Sequence, residues 1–221
     1  MRQRPSFSTL AISRRDAIAG LAGLAAPVLV PMGAQAKAPP VVTVLGDSIA
    51  AGLGLPAAAA LPAQLQLALA RLGVSAIVRG AGVSGDTSAG GLARLDFSVQ
   101  PDTAVCVVEL GANDYLQSID PRDTAANLDR IVARLKARGI TVVLVGGTAP
   151  AHSAGAYGRA FDALFPKIAA ARHVILGPDL LAGVAGDPAL RQSDGLHPNA
   201  AGVRIVAARL APAVARALKR R

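Results

Sequence analysis

The sequence predicts one α/β domain: a central five-stranded parallel sheet covered by helices on both faces, a three-layer α/β/α sandwich. Three observations predict it. Five apolar runs of four to seven residues, at 41–45, 76–79, 104–110, 140–145 and 173–176, alternate with longer stretches of helical periodicity. The runs are predominantly apolar and do not alternate with polar residues, as expected of strands buried on both faces. The chain has 221 residues, 52% of them hydrophobic and none in a polar low-complexity tract, which suffices for one full core.

Residues 1–36 read as an export signal rather than as part of the fold. The front is basic, a charge-free apolar stretch occupies 17–30, and Ala34-Gln35-Ala36 fits a small-residue cleavage site. Ser13-Arg14-Arg15 before a mildly apolar, Ala/Gly-rich stretch resembles a twin-arginine signal. Export to the periplasm or medium is therefore expected, with a single domain over 37–221. No stable membrane span is expected after cleavage, because no other segment is long and apolar enough.

The first strand, 41–45, runs into Gly46-Asp47-Ser48. Residues 62–72 have helical spacing, with Leu65, Leu69 and Leu72 on one face. The second strand leads into a Gly-rich turn at 82–91. The third, 104–110, leads into Gly111-Ala112-Asn113-Asp114. Residues 121–138 form a strongly amphipathic helix, with Leu128, Ile131, Val132 and Leu135 on one side and Gly139 as its stop. After the fourth strand, 156–171 is helical, and Pro166 is expected to kink or split it. His173 opens the fifth strand, and 199–218 is a closing helix with a kink expected at Pro212.

Composition excludes several function classes. Aromatics make up 3% and Trp is absent, which leaves little surface for stacking bases or sugars. Of the +9 net charge, the leader carries +3 (Arg2, Arg4, Arg14 and Arg15 against Asp16), leaving +6. No nucleic-acid motif accompanies that charge, so no nucleic-acid partner is expected. The single cysteine, Cys106, lies inside an apolar run and reads as a small buried hydrophobe.

The polar clusters fall where strands end, which is where open α/β sheets bind ligands. Each alone has a plain structural reading. Gly46-Asp47-Ser48 could be a capped turn, 82–88 a phosphate-cradling loop without a P-loop ending, Asn113-Asp114 a turn, and His197-Pro198 a helix start. Together and in order they resemble the GDSL, or SGNH, hydrolase family. Gly46-Asp47-Ser48 resembles its first block and Ser84-Gly85-Asp86-Thr87-Ser88 its glycine block. Gly111-Ala112-Asn113-Asp114 resembles its G-x-N-D block and Asp194-Gly195-Leu196-His197-Pro198 its D-x-x-H-P block. The resemblance spans the mature chain from Val41 onward and is nearest to the single-domain bacterial arylesterase, thioesterase and lysophospholipase branch. It implies a flavodoxin-like SGNH fold and no cofactor. Ile49 departs mildly from the family's usual Leu. The loop 146–153 lacks the bulkier residues usual in this branch, which bears on substrate preference.

Acyl transfer needs an activated hydroxyl, a base, a group orienting the base, and donors for the developing oxyanion. Ser48, expected to be exposed at the mouth of the sheet, supplies the hydroxyl. Of the three histidines, His197 is the expected base; His173 reads as structural and His152 as a loop residue. Asp194, three residues earlier, can bond its Nδ1–H and fix the tautomer. The Ser48 and Gly85 N–H groups and the Asn113 amide are the expected oxyanion hole, with Gly85 allowing close backbone approach. Asp47, Asp86 and Asp114 read as capping or supporting groups rather than metal ligands. No residue is identified as substrate-binding. The expected activity is hydrolysis of small-molecule acyl esters or thioesters through an acyl-enzyme. Deacetylation of an acetylated envelope polysaccharide and a catalytically dead binding protein are the alternatives.

Overall fold

The computed structural model describes residues 38–147 and 155–220. The export signal and His152 lie outside the described residues. Strands β1 (Val41–Gly46), β2 (Ile77–Gly82), β3 (Thr103–Glu109), β4 (Thr141–Val145) and β5 (Ile175–Leu176) form one sheet in the order β2-β1-β3-β4-β5. Every neighbouring pair is parallel. The predicted sandwich is therefore the observed one, and the strand order reverses between β1 and β3, where such sheets open a crevice at their carboxyl edge.

Period-two alternation sorts the strand side chains between two cores. Val42, Val44, Val105, Val107, Val143 and Val145 face one layer, made of α2 (Leu61–Arg71) and α9 (Ala200–Lys219). Leu45, Cys106, Val108, Val142 and Leu144 face the other. That layer contains α3 (Ser88–Ala93), α4 (Leu95–Ser98), α6 (Pro121–Ala137) and the pair α7 (Ala156–Asp162) and α8 (Leu164–Arg172). Burial pushes the Cys106 thiol up to about 12, so it packs as an inert hydrophobe. In the middle of this apolar sheet, Thr43 and Thr103 satisfy each other at 2.8 Å.

Several local expectations change. Leu72 caps α2 and is half exposed instead of joining Leu65 and Leu69 inside. The 156–171 stretch is split as expected, with the break at Ala163, three residues ahead of Pro166. Proline cannot donate to the carbonyl four residues back and crowds it, so the break falls ahead of the proline, which then occupies the first turn of α8. His173 does not open β5; it caps α8 in the left-handed conformation, φ 53°. Helix α9 continues through Pro212, whose exposed position leaves the freed carbonyl of Ala208 to water.

Candidate active site

The site is assembled from the loops at the carboxyl edge. Ser48 is the first residue of α1 (Ser48–Ala51), a helix of four residues whose N-cap, Asp47, accepts from the Ile49 N–H at 3.1 Å. At that first position the Ser48 N–H has no intrahelical acceptor. Ser48 is 8% exposed. The expectation of an exposed serine is thus corrected: Ser48 is buried, while still lining the crevice.

The His197 loop is held by its own hydrogen bonds. Asn199 caps α9, accepting from Ala201 N and Gly202 N, and its amide donates to Ala189 O and Arg191 O. The Gln192 N–H donates to His197 O at 2.8 Å, and Arg191 Nη1 to Gly195 O at 2.7 Å. Within this frame Asp194 Oδ1 accepts from the Leu196 and His197 N–H groups, leaving Oδ2 for the imidazole.

Asp194 Oδ2 lies 2.6 Å from His197 Nδ1, and His197 Nε2 lies 2.8 Å from Ser48 Oγ. A carboxylate only accepts, so Nδ1 carries the hydrogen and Nε2 is left to accept from the serine hydroxyl. Ser48 Oγ is also 3.4 Å from Asp47 Oδ1, but one hydroxyl has one hydrogen and the shorter imidazole contact takes it. The bonds from His197 and the two N–H groups hold the Asp194 carboxyl down to about 2. Because that pKa is depressed, the carboxylate persists down through the ordinary range near 4, and the pairing fails only as pH falls towards 2.

The remaining expected residues converge here. Gly85 sits in a turn closed by the bond from Asp86 N to Val83 O, with φ 82°. Nothing lies within 4 Å of where a Cβ would stand. Its left-handed backbone requires glycine at 85. Asn113, in α5 (Ala112–Leu116), donates from Nδ2 to Asp86 O at 3.0 Å and to Asp47 Oδ2 at 3.2 Å. Three loops are thereby tied through one amide. Asp86 is bound by Arg94 at 2.7 Å, and Asp114 accepts from Ser88 N at 2.7 Å and Thr124 Oγ1 at 3.1 Å. All three loop acids are thus occupied by protein donors.

Two supporting residues escaped the sequence reading. Arg94 also donates to Ala81 O and Gly46 O, at 2.8 and 2.9 Å, clamping the ends of β1 and β2. Glu109, at the end of β3, is buried against the Gly46-Asp47-Ser48 turn and accepts from Asp47 N at 3.3 Å. It comes so close that a Cβ on Gly46 would stand 2.2 Å from its Oε2, which explains the glycine before Asp47. Burial, then the neighbouring Asp47 charge, raise the Glu109 carboxyl well above the ordinary range. Asp47 is raised too, again by burial first, but its N–H donors favour charge there, so the proton of the pair sits on Glu109.

A pH-dependent stability difference follows. The unfolded chain releases the Glu109 proton near its ordinary pKa of about 4.3 while the folded chain retains it, so stability falls as pH rises above that value. Gln at 109 keeps a donor and an acceptor and has no proton to lose. Glu109→Gln should match the native thermal midpoint near pH 4 and exceed it at higher pH, followed up to pH 8. Midpoints measured across that range contradict the assignment if the difference is constant or shrinks.

A cavity of about 210 Å³ opens beside Ser48, walled by Leu53, Leu116, Leu181 and Leu196 and floored by Ser48, Gly85, Asn113 and His197. Leu53, Leu181 and Leu196 come from three separate loops and Leu116 from the end of α5. A larger hollow of about 640 Å³ beside β2 is lined by alanines, Pro62 and Gln66, with no ionisable side chain. Volume alone would pick that hollow; the reactive groups converge at the smaller one.

A serine–histidine–carboxylate relay at the switch point of a 2-1-3-4-5 parallel sheet defines a serine hydrolase. The chain belongs to the GDSL-like lipase/acylhydrolase family, which matches residues 44–205, and it is a serine ester hydrolase. It is 38% identical to the esterase TesA of Pseudomonas aeruginosa, over 80% of this chain and 88% of that protein. It is 37% identical to thioesterase 1/protease 1/lysophospholipase L1 of Escherichia coli K12, over 75% of this chain and 78% of that one. The crystal structure of TesA superposes with a TM-score of 0.76 at 36% identity, covering 80% of this chain and 99% of the other.

Proposed function

We propose that this chain hydrolyses carboxylic esters and thioesters with apolar acyl groups, using Ser48, His197 and Asp194 as nucleophile, base and orienting acid. The observation that carries the reading is the relay of 2.6 and 2.8 Å between these three side chains. As Ser48 Oγ attacks the carbonyl carbon, its proton passes to His197 Nε2, and the imidazolium is stabilised by Asp194. The oxyanion is met by the Ser48 and Gly85 N–H groups and by Asn113 Nδ2. Collapse breaks the bond to the alcohol or thiol, which leaves with the His197 proton. Water then attacks the acyl-enzyme by the same route and frees the acid.

The leucine walls support an apolar acyl group over an acetylated glycan. Taking a methylene as about the volume of a water molecule, ~30 Å³, a cavity of about 210 Å³ holds a chain of medium length. Turnover of p-nitrophenyl esters from C2 to C16 tests this: kcat/KM should peak among the medium chains. A maximum at acetate, matched on acetylated xylan, would favour the polysaccharide reading.

Asn113→Ala should lower kcat about 100- to 1,000-fold with little change in KM, because the amide bonds the oxygen most strongly once it is charged. At rest its hydrogens serve Asp86 O and, at 3.2 Å, Asp47 Oδ2; the longer bond is the one shared with the oxyanion. Losing both ties should also cost about 1 kcal/mol of stability. Near-native kcat with a lowered midpoint would make Asn113 structural only.

The export reading of 1–36 belongs to this proposal. Replacing Arg14 and Arg15 together with Lys should retain the protein in the cytoplasm if the twin-arginine route is used. Unchanged export would leave a general signal peptide.

A further inference from the structure

We propose that the outer face of the α2–α9 layer is a docking surface for an anionic phospholipid bilayer. This goes beyond ester hydrolysis and does not rest on it. Helix α9 carries four cations in its 20 residues and not one acid. Between 204 and 220 the exposed positions are Arg204, Arg209, Arg216, Lys219 and Arg220, together with the uncharged Ala208 and Pro212. At 100° per residue they fall within an arc of about 160° and extend about 24 Å along the helix. The opposite side holds Val203, Val206, Leu210 and Val214 in the core.

The neighbouring helix continues the pattern. Helix α2 also lacks acids, ends in Arg71, and leaves Leu67 and Leu72 exposed at 49% and 51%. Cations and exposed leucines carried by two acid-free helices match what an anionic headgroup layer receives. Among the described residues none of the four α9 cations, nor Arg220 at its C-cap, forms an ion pair. The opposite layer mixes both signs: Arg122 pairs with Asp120, Arg134 with Asp96 and Arg172 with Asp129, while Arg130 and Lys167 form no ion pair among the described residues. What sets the α2–α9 layer apart is that its two helices carry cations and no acid at all.

Helix electrostatics explains only part of this. Arg216 and Lys219 suit the negative C-terminal end, but Arg204 sits about one turn inside the N-terminal end, where a cation is disfavoured. A nucleic acid would also accept the charge, but the layer offers no aromatic to stack on and supplies leucines instead. Among the described residues no helix is long and apolar enough to cross a membrane, so the mode is surface attachment. The first turn of α9 directly follows His197-Pro198-Asn199. Docking along α9 therefore brings the apolar rim of the cavity, with Leu53 and Leu196 about half exposed, to the edge of the contact.

The test is sedimentation of the full chain with sucrose-loaded vesicles at 100 mM salt. One set is phosphatidylcholine with 30% phosphatidylglycerol and the other phosphatidylcholine alone. The native chain should partition at least tenfold more strongly to the anionic vesicles and be released at 500 mM salt. At about fivefold per cation near such a surface, Arg204→Glu/Arg209→Glu/Arg216→Glu should weaken binding at least 100-fold. Turnover of a soluble short-chain ester by the triple variant should stay within twofold of native, showing that it is folded. The proposal is overturned by equal binding to neutral vesicles, by no binding to anionic ones, or by a folded triple variant that binds undiminished. Tighter binding to a DNA duplex than to the anionic vesicles would overturn it in favour of a nucleic-acid surface.

Discussion

Ser48→Ala should lower kcat by about six orders of magnitude, to the residue left by the oxyanion hole and binding alone. The hydroxyl is the only atom removed, and nothing nearby can replace it. Asp47 is buried beside it with its oxygens committed to the Ile49 N–H and the Asn113 amide. Water in place of the hydroxyl would lack the covalent step. Stability should change by about 1 kcal/mol or less, because one hydrogen bond to an imidazole is lost and no cavity larger than an oxygen is left. Stopped assays at high enzyme concentration, with the thermal midpoint on the same preparation, measure both. Activity within tenfold of native from a folded variant would move the nucleophile elsewhere.

Asp194→Asn should cost about four orders of magnitude in kcat, although it changes one oxygen to nitrogen. The carboxylate makes two kinds of acceptor contact. Oδ1 serves the Leu196 and His197 N–H groups, and Oδ2 serves His197 Nδ1. An asparagine has one carbonyl oxygen for these two sites. Holding the backbone turns its NH₂ towards Nδ1, and two donors cannot face each other. The imidazole then moves its hydrogen to Nε2 and can no longer accept from Ser48. Turning the oxygen to the imidazole leaves two backbone N–H groups facing a donor and loosens the loop. Asp194 itself is 44% exposed in its side chain, so the global fold should survive. A loss below tenfold with an unchanged midpoint would show that the carboxylate does not set the tautomer.

Much of this was legible in the sequence because its signals are local. An apolar run that ends in Gly-Asp-Ser fixes both a strand and the turn after it, and three such strand ends, followed by the Asp194–His197 turn before the last helix, fix the edge on which they meet. Asp194 and His197 are three residues apart, so their pairing needs only a turn. What escaped was set by packing between distant segments. Glu109 reads as the polar end of an apolar strand; only the approach of β1 to β3 buries it against Asp47. Leu53, Leu116, Leu181 and Leu196 share no periodicity, and their common wall exists only after the chain has folded. The clamp at Arg94 joins residues 48 positions apart. Ser48 was expected to be more exposed than it is, since a strand-end serine carries no sign of how deeply it is buried.

The central claim, that the Ser48 hydroxyl is the activated nucleophile, is tested most directly by covalent capture. An alkyl fluorophosphonate transfers its phosphonyl group to an activated serine oxygen and releases fluoride, with the proton passing to the base. Intact mass followed by peptide mapping should show one phosphonyl group per chain, on the peptide containing Ser48. Ser48→Ala should remain unlabelled, and Asp194→Asn should label far more slowly. Stoichiometric labelling at another residue, or the same labelling rate in Ser48→Ala, would contradict the account.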